Sequence, residues 1–242
     1  MKRGVLLAGI ATVVMSLASP HALFAQAPAQ ASPQAAAQNP LLVPDKGAFR
    51  ILLDGAEVGA EQFETAPSDK VWIVRSETVV RVPGERETRS SGELRISADG
   101  TLLGYKWTAQ AEKKTSGSVE FSQGTAKTSI DVGAKEPYLQ DFVFPSPRVA
   151  VLDNNLYSQY ALLALLYNWN VKGQQTFPVL IPQDMTPGSV SVESLGAKTI
   201  EVASLEALRV NTADAEILLY FDARHRLMRL EVSAAKVAVV RR

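Results

Sequence analysis

The sequence predicts a mainly β protein: a single curved antiparallel sheet, or half-barrel, with one substantial apolar helix at about residues 156–169. Three observations predict it. Apolar and polar residues alternate with period two along most of the chain after Ala48. Gly-containing turn signals, Asp54-Gly55 and Asp99-Gly100 among them, separate the alternating runs. One segment alone, LYSQYALLALLYNW, breaks the alternation.

The alternating runs define the expected strands in order. Phe49, Ile51 and Leu53 open the series, Asp54-Gly55 turns it, and Val58 to Thr65 returns. Lys70 to Val82 is long: Trp72, Val74, Val80 and Val82 share a face with Ser76 and Thr78, while Arg75, Glu77 and Arg81 point away. Arg86 to Ser97 carries Leu94 and Ile96 on its apolar face. After Asp99-Gly100, Leu103, Tyr105, Trp107 and Ala109 alternate with Leu102, Gly104, Lys106 and Thr108. Val119/Phe121 and Ala126/Thr128/Ile130/Val132 follow. The last third offers Ile200/Val202, Leu208/Val210, Ile217/Leu219/Phe221 and Met228/Leu230/Val232. One apolar and one wet face per strand means antiparallel pairing, not a parallel sheet covered on both sides. No fixed-length repeat recurs, which argues against a propeller or solenoid.

The segment that breaks the pattern reads as a helix. Leu156, Tyr160, Leu163 and Tyr167 form one stripe, yet Leu162, Leu165, Leu166 and Trp169 cover the other faces. A helix apolar nearly all round is buried or covered. Asp153-Asn154-Asn155 supplies candidate N-caps and Lys172-Gly173 the stop.

Upstream of the β-rich part the chain changes character. Lys2 and Arg3 precede an apolar run from Val5 to Leu17, then Pro20 and Ala25. A basic start, a short apolar core and a small-residue cut site make residues 1–25 a secretory signal peptide. The run is shorter than the roughly 20 residues a membrane span needs. Residues 26–45, rich in Ala, Gln and Pro, read as a disordered linker. Residues 46–242 then form a single β-rich domain, with export, most simply to the periplasm as a soluble protein, as the expected location.

Composition excludes several functions. There is no cysteine, hence no disulfide, no thiol nucleophile and no lipidated cysteine after the signal. Basic and acidic residues number 25 each, interspersed, so electrostatic capture of nucleic acid is not expected. His21 leaves with the signal, and His225 in a turn is the one histidine left for a triad or a metal. No catalytic residue, cofactor or metal site is therefore assigned. Asp131, Asp141, Asp153 and Asp184 keep a carboxylate-dependent hydrolase as the weakest alternative.

Binding fits better. Trp72, Tyr105, Trp107 and Phe121 fall on the presumed inner sheet face, and Tyr157, Tyr160, Leu163 and Tyr167 on the helix. Together these eight are the candidate ligand-binding residues, either lining an apolar cavity or packing a core.

The opening FRILLDGAEVGAEQFE, the later DGTLLGY and the ending YFDARHRLMRLEV resemble an uncharacterised family of exported bacterial domains. In architecture the chain is also similar to the lipoprotein-localisation carriers, which implies a curved antiparallel sheet closed around an apolar cavity. The expectation is a non-enzymatic exported carrier or sensor of an apolar molecule or lipid. The alternative is a cell-envelope protein–protein interaction module. No nucleic acid partner and no transmembrane helix in the mature chain are expected.

Overall fold

A computed structural model of the protein describes residues 41–171 and 173–242. The expected signal peptide, the linker up to residue 40, and Lys172 of the expected helix stop lie outside the described residues. Among the described residues, fifteen strands form one sheet. The first eight are β1 (Asp45–Leu53), β2 (Ala56–Ser68), β3 (Val71–Val80), β4 (Thr88–Ser97), β5 (Leu102–Gln110), β6 (Lys114–Ser122), β7 (Thr125–Asp131) and β8 (Tyr138–Val143). The short β9 (Ala150–Val151) leads into the helix. The rest are β10 (Gln175–Ile181), β11 (Thr186–Ile200), β12 (Ala203–Asn211), β13 (Glu216–Phe221), β14 (Leu227–Val232) and β15 (Val237–Arg241).

The topology is two meanders zipped at their far ends. The chain walks outward from β1 to β8, crosses to the opposite edge as β9, and walks back to β15, which pairs with β1. Phe49 faces Arg241 and Leu53 faces Val237 across that seam. The seam is also an electrostatic junction, since the Arg241 guanidinium donates to both oxygens of Asp45 and lies over the Phe63 ring. β9 and β10 are parallel, because the helix provides the crossover between them. The mainly β class and the single open sheet are as the alternation predicts.

The expected Asp54-Gly55 turn closes β1 and β2 with two residues, both at positive φ (51° and 81°), the geometry that matches strand twist. Elsewhere bulges move the pattern. The β4–β5 register slips between Arg95 and Ile96, so Leu102, not Leu103, turns inward. The β13–β14 register slips between Tyr220 and Phe221, so Leu227 takes the buried place expected of Met228. An extra residue on one strand flips the faces beyond it. Ile200/Val202 is not a strand: Ile200 ends β11, and Val202, fully exposed, lies in the turn to β12.

Leu42 is buried in the core, so the packed chain begins before residue 46.

The helix is smaller than its apolar segment. A 3-10 turn, Tyr157–Tyr160, runs into α1, Ala161–Leu166. It stops because hydrogen bonds to the rest of the molecule claim the residues beyond. Tyr167 is extended, its hydroxyl donates to Gly173 O at 3.1 Å and accepts from Ser194 N at 3.2 Å. The Trp169 indole N–H donates back to Ala164 O at 3.1 Å, and the Arg148 guanidinium donates to Leu166 O. A cation at the last carbonyls also suits the helix dipole. No Asx side chain caps the start, contrary to the expectation for Asp153–Asn155.

The helix lies between two apolar clusters, which explains its lack of a polar face. Leu163, Ala164, Leu166 and Tyr167 pack with β1 and β10–β15, while Leu156 and Leu162 pack with β3–β8. No helix among the described residues is long and apolar enough to cross a membrane.

Candidate functional site

The helix does not fill the space beneath β10–β15. A cavity of about 680 Å3 remains there. Its apolar lining includes Val179 and Val190 on β10 and β11, Ile217 on β13, Leu230 and Val232 on β14, and Val237 on β15. These positions lie on the inward phase of their strands, which the sheet pleat imposes. Tyr157 and Tyr160 of the first helical turn complete the wall. Thr212–Asp214 contribute from the β12–β13 hairpin, Ser146 from the segment after β8 and Thr186–Ser189 from the start of β11.

Two buried carboxylates hold the helix start against the sheet, one from each side. Glu61 of β2 is fully buried and accepts Tyr157 N at 2.8 Å and Ser158 N at 3.0 Å. It performs the N-terminal capping that the sequence led us to expect of Asp153–Asn155. Burial pushes its pKa from 4.5 to about 7, against the lowering effect of those donors. Asp153, 4% exposed, accepts the Tyr105 hydroxyl at 2.9 Å and the backbone N–H groups of Gln183 and Asn154 at 3.1 and 3.2 Å. Burial raises its pKa from 3.8 to about 7, opposed by the Gln183 and Asn154 N–H groups and the Tyr105 hydroxyl. Its own N–H donates to Gln159 Oε1 at 2.7 Å. Asp153 therefore ties β5, the helix and the turn after β10 together, and it lines the cavity.

The eight candidate residues separate. Tyr157 and Tyr160 line the cavity. Trp72, Tyr105 and Trp107 are buried in the second cluster, and Phe121 packs against it. Leu163 and Tyr167 are buried in the first. The cavity is thus built against the C-terminal meander, not against the aromatic face of the N-terminal one. Glu61 carried a signal of its own: it shares the strand phase of Phe63, placing a carboxylate on an apolar face. The cavity residues of β10 and β11 had a weaker one, since Phe177/Val179 and Val190/Val192 alternate but Pro178 and Pro187 interrupt the runs.

Of the four aspartates, Asp131 and Asp141 are exposed on β7 and β8. Asp153 and Asp184 are linked through Asn154, whose side-chain N–H donates to Asp184 Oδ2 at 2.9 Å. Among the described residues no three of His, Asp and Glu gather as metal ligands. His225 sits 4.4 Å from the Trp169 ring, in the turn between β13 and β14.

No family model and no curated protein matches the sequence. The fold does match solved structures. A β-barrel-like protein of the domain of unknown function DUF1849 from Brucella abortus superposes with TM-score 0.58 at 11% identity, over 83% of this chain and 95% of that one. A DUF1089 family protein from Pseudomonas aeruginosa aligns with TM-score 0.46 at 10% identity, over 86% of this chain and 95% of that one. The first likeness shows the fold: the chain is a β-barrel-like domain whose structural neighbours are of unknown function.

Proposed function

We propose that the chain is an exported, non-enzymatic carrier or sensor of an apolar small molecule, held between the helix and β10–β15. The observation that carries this reading is the apolar cavity of about 680 Å3. Interiors pack at crystal-like density and leave few voids larger than a water. Ligand pockets run at roughly 300–1,000 Å3 with a few placed polar groups, here Asp153, Tyr157 and Tyr160. A curved sheet closed by a helix over an apolar space is also the plan of the lipoprotein-localisation carriers, which supports the same reading. Export to the periplasm rests on Lys2, Arg3 and the apolar run from Val5.

None of the three tryptophans lines the cavity, so an added dye is the better reporter. Delipidated protein titrated with phenylnaphthylamine should give a saturable, one-to-one fluorescence rise. A response that stays linear in dye would sink the carrier reading. Sequencing exported protein should find its first residue at or near Gln26.

A specific observation favours a second reading, an envelope interaction module. Edge strand β8 exposes Tyr138, Leu139 and Val143 at 60%, 74% and 83%. An unpaired edge with apolar side chains is a template for strand addition. Native mass spectrometry separates the two: a bound lipid supports the first, a stoichiometric protein the second.

A further inference from the structure

The charged side chains that line the cavity are of one sign. Asp153 and Asp214 line it, and no Lys, Arg or His does so among the described residues. Tyr157 and Tyr160 are the remaining titratable groups on its wall. We infer that the cavity accepts aliphatic molecules whose polar head bears no negative charge, and rejects alkyl carboxylates of the same chain length. This rests on the carrier reading and narrows its ligand class.

The argument is electrostatic. A carboxylate drawn into an apolar cavity loses its hydration and needs a cation or several donors in return. Here it would meet Asp153 inside and Asp214 in the β12–β13 turn, with no cation among the lining residues. Asp153 is held in place by Tyr105, Gln183 and Asn154 and cannot swing away. Repulsion between like charges grows where water is excluded. The phenols do not reverse this. Burial raises the pKa of both, that of Tyr160 to about 12, so each remains a neutral hydroxyl. A neutral hydroxyl donates to an alcohol, ether or ester oxygen, and such a head adds no charge beside Asp153. The apolar wall of Val190, Ile217, Leu230 and Val232 takes the chain of either molecule equally. The head group therefore decides.

The test is competition for phenylnaphthylamine bound to the full mature chain, at low salt and about pH 8. Decanol, decylamine and decanoate share one chain length and differ in head charge. Decanol and decylamine should displace the dye, and decanoate should do so about tenfold or more less well. Decanoate competing as well as decanol would overturn the inference while leaving the carrier reading intact. Dye binding that none of the three displaces would overturn the carrier reading itself, and this inference with it. Asp214 is exposed, and its side chain has no hydrogen-bond or ion-pair partner among the described residues. Asp214→Lys should therefore fold, and it should narrow the decanol–decanoate gap several-fold. An unchanged gap in that variant would overturn the electrostatic account.

Discussion

The carboxylate of Glu61 accepts the backbone N–H of Ser158, 97 residues further along the chain, at 3.0 Å, so a β2 side chain caps the start of the helix. Its other oxygen takes Tyr157 N at 2.8 Å. The first N–H groups of a helix have no partner within it, and buried ones must find one outside. Removing Glu61 by alanine should orphan both. At about pH 5 the expected loss is roughly 1–3 kcal/mol by denaturant unfolding. A loss below a few tenths would mean that the capping bonds contribute nothing.

The same residue makes stability depend on pH. Burial raises Glu61 from 4.5 to about 7 and Asp153 from 3.8 to about 7. Between those limits the folded chain binds protons that the unfolded chain has released. Stability is therefore full below the unfolded values and falls as pH rises through about 7. For Glu61 alone the linkage is on the order of 3 kcal/mol. Glu87, Asp99 and Asp222 act oppositely, because their lowered pKa values cost stability only in more acidic solution. The thermal midpoint should thus be higher near pH 5 than near pH 8. Glu61→Gln with Asp153→Asn should flatten that slope, and an equal slope in the double variant would refute the assignment.

Leu163 is fully buried at the centre of the first cluster. Leu163→Ala should cost about 2–5 kcal/mol, from lost transfer energy and the cavity left behind. Leu163→Asp should prevent folding, since nothing there pairs a charge. A folded, cooperative Leu163→Asp chain would show that the helix does not plug the sheet.

The sequence made the architecture legible and the site only partly so, for local physical reasons. Alternation survives in most of β1–β7 because each has one wet face, and it is blurred in β12 and β13, where Leu205, Ala207 and Tyr220 are buried on the face opposite Leu208, Ile217 and Leu219. It fails at β8, where Tyr138 and Leu139 are both exposed at an edge, and at β10, where Pro178 interrupts the run. The bulges beside Leu102 and Leu227 are invisible to any count of period two, since they arise from pairing with a neighbour. Tyr157 and Tyr160 were legible as helix aromatics. Their separation from Trp72, Tyr105 and Trp107 was not, because strand phase says which face is inward but not which half of a large sheet a ligand would use. Glu61 lay in plain view beside Phe63, but its partners are helix N–H groups that no local pattern reveals.

Gly92 marks where the sheet yields to the helix. A Cβ there would come within 3.0 Å of both Leu156 Cδ1 and the Tyr105 hydroxyl oxygen. Both neighbours are fully packed, so neither has room to retreat. Gly92→Ala should cost about 1–3 kcal/mol as overpacking, despite adding a single methyl group. It should also disturb the Tyr105–Asp153 bond, visible as a shifted tyrosine signal in ultraviolet difference spectra. A stabilised variant would mean that the helix sits farther from β4 than these distances require.

Val190 offers the sharpest distinction between a cavity and a packed core. It is buried on β11 among the first cluster and also borders the 680 Å3 space. In a filled interior, Val190→Phe would add volume with nowhere to go and cost about 1–3 kcal/mol. In the cavity the added ring displaces only empty space or a ligand and buries further apolar area, at about 25 cal/mol per Å2. Two outcomes should therefore come together. The thermal midpoint of delipidated protein should hold or rise, and affinity for phenylnaphthylamine should fall, because the ring occupies part of the site. Either alone is ambiguous, since a merely unstable variant also loses dye and a merely tolerant one also keeps its midpoint. A lowered midpoint with dye binding unchanged would place the dye elsewhere and the Val190 side chain in a tight core.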